Sequence, residues 1–359
     1  MTHVRARRAG RCPGPTCPRT HDARARAEGG LSGRGARPPL VADRTTVPRA
    51  RHRCARLGCG WTWTPRGIYA YGPIPGRILV ARFGPQPEDR GAPVTVEESQ
   101  GAVRDVTGTG VTVKGIRGRA TRWSDNARQA RSYRHGRVLL AGDAAHVRSP
   151  FSGQGLNPGL GDAVNLGWKL AATVNGWAPE SLLDMYGSER RPIAAWVLDW
   201  TRAQVALMRG DEHTAQLRKI VVGELFTVPG AMNRMIALTA GIARRYDDGV
   251  AAADAVAPVG SIAGDIPPAP GSRLADQARD GRFVLVDRSP DGGFVDSVRQ
   301  LKPRIAYVAD PAPESGVALA SPPSLCVRPD GVIAGAATSS DADASGWLDT
   351  AIRRWVGAR

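Results

Sequence analysis

Residues 136–170 read GRVLLAGDAAHVRSPFSGQGLNPGLGDAVNLGWKL, and their pattern determines the predicted architecture. It begins with an uninterrupted apolar run at 138–141, which predicts a strand buried on both faces of a mixed or parallel sheet. A loop rich in glycine follows, and from Leu156 onward apolar residues recur at helical spacing. Asn175 and Gly176 form a helix C-terminal signal. The stretch therefore predicts a strand, a glycine-rich loop and a helix.

Two features of this stretch predict a ligand site. Gly142 and Asp143 follow the strand, at the edge where open α/β sheets bind ligands. Glycine permits a close backbone approach there, and the aspartate presents a carboxylate. The loop then feeds a helix N-terminus, where unpaired N–H groups and the positive end of the helix dipole favour an anion or an electron-rich carbonyl.

The order of these residues resembles the second FAD-binding motif of the para-hydroxybenzoate hydroxylase-like flavoprotein aromatic hydroxylases, above all the actinobacterial members that act on polyketides and rifamycin-type antibiotics. The resemblance implies that Asp143 holds a hydroxyl of the ribityl chain and that Pro150 lies close to the isoalloxazine. The amides at the start of the helix would face the flavin N1 and C2 carbonyl. The implied cofactor-binding residues are Gly142, Asp143, Pro150, Gly153, Gly155, Leu156 and Asn157.

Three residues depart from the family pattern. Ser152 stands where relatives usually have a second glycine, and Pro158 and Gly161 replace residues that favour helices. Proline is tolerated in a first helical turn, so the helix is still expected. An ordinary strand-loop-helix unit without a ligand is the alternative.

The basic charge is concentrated in residues 1–60. The net charge is +16 over 359 residues, yet this segment alone holds fourteen arginines, no lysine and three acidic residues. Its arginine, glycine and proline content predicts disorder. A translation start placed too early in GC-rich DNA also explains such a composition. The segment lacks interleaved aromatic residues, which argues against nucleic-acid binding.

Four of the five cysteines also fall in this segment, as two Cys-x4-Cys pairs: Cys12, Cys17, Cys54 and Cys59. A zinc site is conceivable, but the spacing fits the usual zinc ribbons poorly, and we predict no metal. We find no apolar run of membrane-spanning length and no secretory signal, so a cytoplasmic protein without a membrane partner is expected.

The family's first FAD motif, a strand followed by G-x-G-x-x-G and a helix, has no counterpart in residues 1–60, and its middle Asp-Gly motif is missing as well. The resemblance thus covers residues 61–359. It implies a fold of the α/β and α+β classes, namely an N-terminally incomplete para-hydroxybenzoate hydroxylase-like FAD-binding fold followed by a thioredoxin-like domain.

Residues 61–125 are predicted to form the substrate-domain sheet. Strands are expected at 67–71, 77–83, 111–116 and 120–123, with a helix at 94–106 capped by Thr95. The side chains of Tyr69, Tyr71 and Trp123 could line an aromatic substrate pocket. Ordinary sheet packing is the equally good alternative for each of them.

The second half of the chain divides into three predicted parts. Residues 126–255 form the C-terminal half of the FAD-binding domain and its helices, and they carry a Tyr-x-x-Glu-Arg-x-Pro pattern that begins at Tyr186. Residues 256–270 read as a linker. Residues 271–359 resemble the thioredoxin-like domain of the polyketide hydroxylases. Cys326 is alone there, so a structural role is favoured over a redox role.

The resemblance implies an FAD- and NAD(P)H-dependent monooxygenase that hydroxylates an aromatic, polyketide-type substrate with molecular oxygen through a C4a-hydroperoxyflavin. The cofactor would carry the chemistry, so no catalytic side chain is assigned. The alternative is a truncated, non-catalytic relative unable to bind FAD stably. A halogenase or a reductase that shares the Gly-Asp motif is a further possibility. The sequence leaves the oligomeric state open.

Overall fold

The structure is a computed structural model. It describes residues 60–71, 77–83, 92–116, 120–123, 125–149, 154–246, 259–264, 273–289, 292–301, 303–310, 324–337 and 344–356, and the backbone of three strands before them. The four cysteines at which a zinc site was considered, and for which no metal is predicted, lie outside these residues.

The described strands fall into four sheets. They are β1 (His3–Arg5), β2 (Leu31–Ser32), β3 (Leu40–Thr46), β4 (Gly60–Thr64), β5 (Gly67–Tyr71), β6 (Arg77–Phe83), β7 (Arg122–Trp123), β8 (Arg128–Ala130), β9 (Arg134–His135), β10 (Val138–Leu140), β11 (His146–Val147), β12 (Phe283–Asp287), β13 (Ile305–Ala309), β14 (Leu325–Val327) and β15 (Ile333–Ala336).

The described helices cover the sheets and connect them. They are α1 (Val96–Thr107), α2 (Leu156–Val174), α3 (Asp184–Leu207), α4 (Glu212–Gly223), α5 (Ala231–Ala240), α6 (Leu274–Gln277), α7 (Val295–Val298) and α8 (Ala344–Ala351), with 3-10 turns at Gly142–Ala144, Glu180–Leu183, Leu225–Thr227 and Arg299–Leu301 and a π-helical turn at Ile352–Val356.

The first large sheet is antiparallel, with strand order β4-β5-β6-β3-β7. Strand β3 pairs with β6 along its whole length, so the disorder expected over residues 1–60 is wrong for 40–46. The short strands β1 and β2 also fall in that segment. Averaging the composition over sixty residues hid the β-branched Val41, Thr45 and Thr46, which favour a strand.

Helix α1 confirms the predicted cap and packs on one face of this sheet. The Thr95 hydroxyl accepts a hydrogen bond from the backbone N–H of Glu98 at 3.1 Å. The strand predicted at 111–116 does not form. Side chains of α1 satisfy its backbone instead, because Gln100 binds both Val111 and Val113.

Strand β10 is antiparallel to both of its neighbours, β1 and β9, whereas a mixed or parallel sheet was predicted. Gly136 has a φ of +58° and closes the tight turn between β9 and β10. Leu139 and Leu140 are nonetheless buried, as the apolar run predicts. An unbroken apolar run reports burial and says nothing about strand direction.

The C-terminal sheet has strand order β13-β12-β14-β15, with β12 and β13 parallel and the other pairs antiparallel. This topology confirms the thioredoxin-like fold. The turn between β14 and β15 closes through the Gly331 N–H, which donates to the Arg328 carbonyl at 2.9 Å. Part of the predicted 256–270 linker belongs to this domain, because Gly260 and Ala263 donate to β15 and to the turn.

Helix α2 shares one apolar core with the thioredoxin-like domain. Trp168 packs edge-on against Phe283, with ring centroids 5.6 Å apart, and lies 6.2 Å from Trp355. Ala172 is fully buried in the same cluster. The C-terminal domain therefore acts as a structural support for the helix that follows the glycine-rich loop.

A buried ionic cluster joins the same two parts of the chain. The Glu189 carboxylate of α3 accepts two hydrogen bonds from the Arg328 guanidinium, at 2.7 and 2.9 Å, and one from Lys169 Nζ at 2.6 Å. The Asp330 carboxylate also pairs with Arg328, so the two carboxylates balance the positive charges of Arg328 and Lys169. The Arg328 side chain is only 1% exposed and lies over the rings of Trp168 and Trp355.

The charges around Glu189 set its titration. Burial alone would raise the pKa of Glu189, but hydrogen bonds and positive charge from Arg328 and Lys169 outweigh it and lower that pKa to about 2. Because the folded-state pKa is depressed, the stabilisation is complete above the ordinary value of 4.5 and is lost as the pH falls towards 2.

We predict that Glu189→Ala lowers the free energy of unfolding by about 3–5 kcal/mol, since it leaves two buried cations with one carboxylate. Urea unfolding at pH 7 measures the loss. The exposed Glu180→Ala is the matched control and should cost less than about 1 kcal/mol. Between about pH 4.5 and pH 2 the stability of Glu189→Ala should also fall less steeply than that of the wild type. Equal costs for the two substitutions would contradict this role.

Candidate functional site

The turn Gly142–Ala144 follows β10 and leads into Ala145 and His146. Gly142 has a φ of +58°, a conformation that L-amino acids with side chains rarely adopt. Its ideal Cβ position lies 3.8 Å from the Gly159 Cα, so the turn packs closely against the first turns of α2. Asp143 projects from the turn with its side chain 76% exposed.

Asp162, a residue that the motif analysis did not single out, holds this turn in place. Its carboxylate is fully buried and accepts a hydrogen bond from the Gly142 N–H at 2.9 Å. The same oxygen lies 2.7 Å from His146 Nε2. The second oxygen accepts from Arg190 Nε at 2.9 Å. One side chain of α2 thus fixes β10, β11 and α3 relative to one another.

The environment of Asp162 keeps it ionised. Burial would raise the pKa of Asp162, but the hydrogen bonds and charges of His146 and Arg190 outweigh it and bring that pKa below the usual range. The family departure at Gly161 also has a reason here. A Cβ at Gly161 would lie 2.5 Å from Arg190 Nη2, so a side chain would displace the guanidinium.

The N-terminus of α2 is open. Gly155 occupies the cap position, and no side chain caps the helix. Leu156 and Asn157 are exposed in the first turn. Gln154 precedes them and is 3% exposed, yet neither atom of its amide has a hydrogen-bond partner among the described residues. Buried amides are rarely left unpaired, so these atoms indicate a ligand position.

The structure brings together five of the seven predicted cofactor-binding residues. Gly142 and Asp143 lie on the turn that packs against α2, and Gly155, Leu156 and Asn157 form the start of that helix. Pro150 and Gly153 lie outside the described residues.

The predicted substrate residues lie elsewhere. Tyr69 is 6% exposed and belongs, with Tyr71 at its edge, to the apolar cluster beneath α1. Packing accounts for both side chains, so they gain no support as pocket residues. The backbone of Trp123 forms part of β7, and its side chain is outside the described residues.

Two tryptophans that the sequence reasoning passed over line the opposite face of the sheet. Trp61 pairs with Ala70 and Trp63 with Ile68, so each pair shares a face. Ile68 packs with side chains from the C-terminal end of α3. Both tryptophans are 42% exposed, and their alternate spacing in β4 was the sequence signal for this face.

Asp162 also had a sequence signal. Asp162, Asn165 and Lys169 recur at three and four residues within the predicted helix, and all three are buried on one face. Polar residues that recur at the spacing of the buried side of a helix predict a hydrogen-bonded network, because buried polar groups need partners.

We predict that Asp162→Asn loosens the 142–145 turn, because an amide offers one acceptor oxygen where the carboxylate serves three donors. A buried donor left unsatisfied costs about 1–3 kcal/mol. Backbone hydrogen exchange in the peptide that contains the turn should therefore speed up about 5- to 150-fold. The exposed Asp199→Asn on α3 is the control and should leave it unchanged. Identical exchange in both variants would show that Asp162 does not hold the turn.

No helix in the described part of the chain combines the length and the apolar character that crossing a bilayer requires.

Two family models match the chain. One, described as an FAD binding domain, matches residues 40–201, and one described as the C-terminal region of aromatic-ring hydroxylases matches residues 258–358.

Several of the relatives that match carry monooxygenase names. A 12-dehydrotetracycline 5-monooxygenase/anhydrotetracycline 6-monooxygenase of Streptomyces rimosus is 39% identical over 285 residues, which cover 78% of this chain and 55% of that protein. A rifampicin monooxygenase of Streptomyces venezuelae is 38% identical over 282 residues, covering 79% and 55%. The chain thus spans about half the length of these relatives.

A solved structure agrees with the fold. The anhydrotetracycline hydroxylase OxyS from Streptomyces rimosus superposes with a TM-score of 0.76 at 34% identity, covering 92% of this chain and 66% of that one. With the FAD-domain match, the aromatic-ring hydroxylase match and the turn-and-helix geometry in agreement, this chain belongs to the FAD-dependent aromatic-ring hydroxylases.

Proposed function

We propose that this chain acts in an FAD- and NAD(P)H-dependent monooxygenase that hydroxylates an aromatic substrate of polyketide type. The observation that carries the proposal is the close packing of the Gly142–Ala144 turn on the open N-terminus of α2, which Asp162 fixes. The residues present fit a flavin. The turn offers an exposed carboxylate, the helix start offers uncapped amides, and Gln154 offers a buried amide without a partner among the described residues.

Each group would serve a different part of the cofactor. The Asp143 carboxylate accepts a hydrogen bond from a ribityl hydroxyl, since an ionised carboxylate can only accept. The amides of Gly155, Leu156 and Asn157 face the N1 and C2 carbonyl side of the ring, where the helix dipole stabilises negative charge. We retain Pro150 and Gly153 as flavin contacts on the strength of the motif alone.

Bound FAD would supply the redox chemistry, taking a hydride from NAD(P)H and activating molecular oxygen for transfer to the ring. The overall reaction balances as NAD(P)H, a proton, oxygen and an arene giving NAD(P)⁺, a phenol and water. The chain's own part is to bind and orient the ring system and to exclude water. The cytoplasm supplies NAD(P)H, and we place the reaction there.

We assign the substrate to the sheet face that carries Trp61 and Trp63. This face lies towards α3 and α4, as the Arg218 guanidinium of α4 lies 5.6 Å from the Trp63 ring centroid. Exposed indole rings offer flat apolar area for stacking on a polycyclic aromatic compound. The tetracycline and rifampicin named for the relatives are large multi-ring compounds, and we propose a polycyclic phenol for this chain.

The alternative is a non-catalytic relative that does not hold FAD stably. It is favoured by the lack of a G-x-G-x-x-G pattern for the adenosine and pyrophosphate half of FAD in the given sequence. A chain that consumes NAD(P)H without oxygenating a substrate would instead be a reductase.

We predict that the chain, saturated with FAD and supplied with NADPH and a polycyclic phenol under ¹⁸O₂, forms a hydroxylated product with one ¹⁸O atom per NADPH oxidised. Mass spectrometry of the product and absorbance at the NADPH band measure the two quantities. NADPH consumption that yields only hydrogen peroxide would contradict hydroxylation and indicate a reductase. Absence of both reactions with FAD bound would support the non-catalytic alternative.

A further inference from the structure

Arg148 follows β11, and its guanidinium lies beside the open start of α2. Its side chain is only 7% exposed. A Cβ built on Gly155 would lie 2.1 Å from Arg148 Nη2, so the guanidinium rests directly against the helix cap position. Gly155 leaves the room that this guanidinium occupies.

The charge of Arg148 is poorly compensated by the described residues around it. Its nearest carboxylate oxygen belongs to Asp143 and lies 4.0 Å from Nη2, at the limit of an ion pair. His146 Nδ1 lies 3.4 Å from Nη1. Burial lowers the pKa of Arg148 despite the nearby carboxylates of Asp143 and Asp162. A buried guanidinium without a close anion gains free energy from an anionic ligand.

A second observation independently points to a ligand at the same place. Gln154 and Ser149, on either side of the segment that joins β11 to α2, are 3% and 1% exposed. Their side-chain polar atoms are buried and have no hydrogen-bond partner in the described chain. Ser149 follows Arg148 and Gln154 precedes Gly155 in the chain, and the Arg148 guanidinium lies against Gly155, so these polar groups belong to the same region as the uncapped helix start.

We propose that Arg148 is a flavin-binding residue that selects the reduced cofactor by placing its guanidinium against the N1 and C2 carbonyl side of the ring. This inference rests on the proposed function. Bound FAD reduced by NAD(P)H, which would leave as NAD(P)⁺, would carry negative charge on the N1 and C2 carbonyl side of its ring. The Arg148 charge therefore stabilises reduced FAD more than oxidised FAD.

The test is a pair of titrations of the full 359-residue chain with oxidised FAD and, without oxygen, with dithionite-reduced FAD. In Arg148→Gln the dissociation constant of reduced FAD should rise at least about tenfold more than that of oxidised FAD. For a two-electron couple this tenfold difference lowers the midpoint potential of bound FAD by about 30 mV. Arg148→Lys keeps the charge and should restore most of the difference.

Arg131→Gln removes an exposed arginine between β8 and β9 and is the matched control for charge loss. It should leave the ratio of the two dissociation constants unchanged. Thermal unfolding of each variant verifies that the titrated protein is folded.

Three results would overturn the proposal. Unchanged affinity of Arg148→Gln for both redox forms would remove Arg148 from the site, and equal weakening of both would leave it a general anchor without redox selectivity. Tighter binding would show that the guanidinium blocks the flavin position. In all three cases the wild type still binds FAD, so the proposed function stands. Failure of the wild type to bind either form would overturn the proposed function together with this inference.

Discussion

The site depends on one buried carboxylate. Asp162 can lie fully buried only because the Gly142 N–H, His146 and Arg190 together compensate its charge. The same hydrogen bonds make the turn after β10 and the N-terminus of α2 a single unit. The groups proposed to hold the ribityl chain and the ring thus keep a fixed separation before any cofactor arrives. Pre-organisation of this kind lowers the entropic cost of binding.

The support of the site extends into the C-terminal domain. Arg190, which binds Asp162, also donates to the Tyr246 hydroxyl at 3.1 Å, and the Arg328 guanidinium lies 5.3 Å from the Tyr246 ring. Arg328 in turn binds Glu189, the neighbour of Arg190 in α3. The turn between β14 and β15 is thereby linked through a continuous set of contacts to Asp162 and the Gly142–Ala144 turn. A thioredoxin-like domain with a single buried cysteine has a clear structural use here.

Local patterns predicted much of this structure. The capping signal at Thr95 and the helix-end signal at Asn175 and Gly176 were readable because short-range chemistry determines them. The antiparallel direction of β10 and the β3 strand were not, since partners distant in sequence decide pairing. The Asp143 turn was found through a motif, and the helical spacing of Asp162, Asn165 and Lys169 was a readable signal for Asp162. The position of Arg148 against Gly155 depends on a three-dimensional environment that no sequence pattern reveals.

The described residues are proposed to hold the ring and ribityl half of FAD. The direct measurement is competitive binding to the 359-residue chain, with flavin fluorescence as the readout. If these residues hold that half of the cofactor, FMN binds within about threefold of FAD, ADP does not displace FAD, and Asp143→Ala weakens FMN and FAD equally, by about 1.5–3 kcal/mol. Displacement of FAD by ADP, with no measurable binding of FMN, would contradict it.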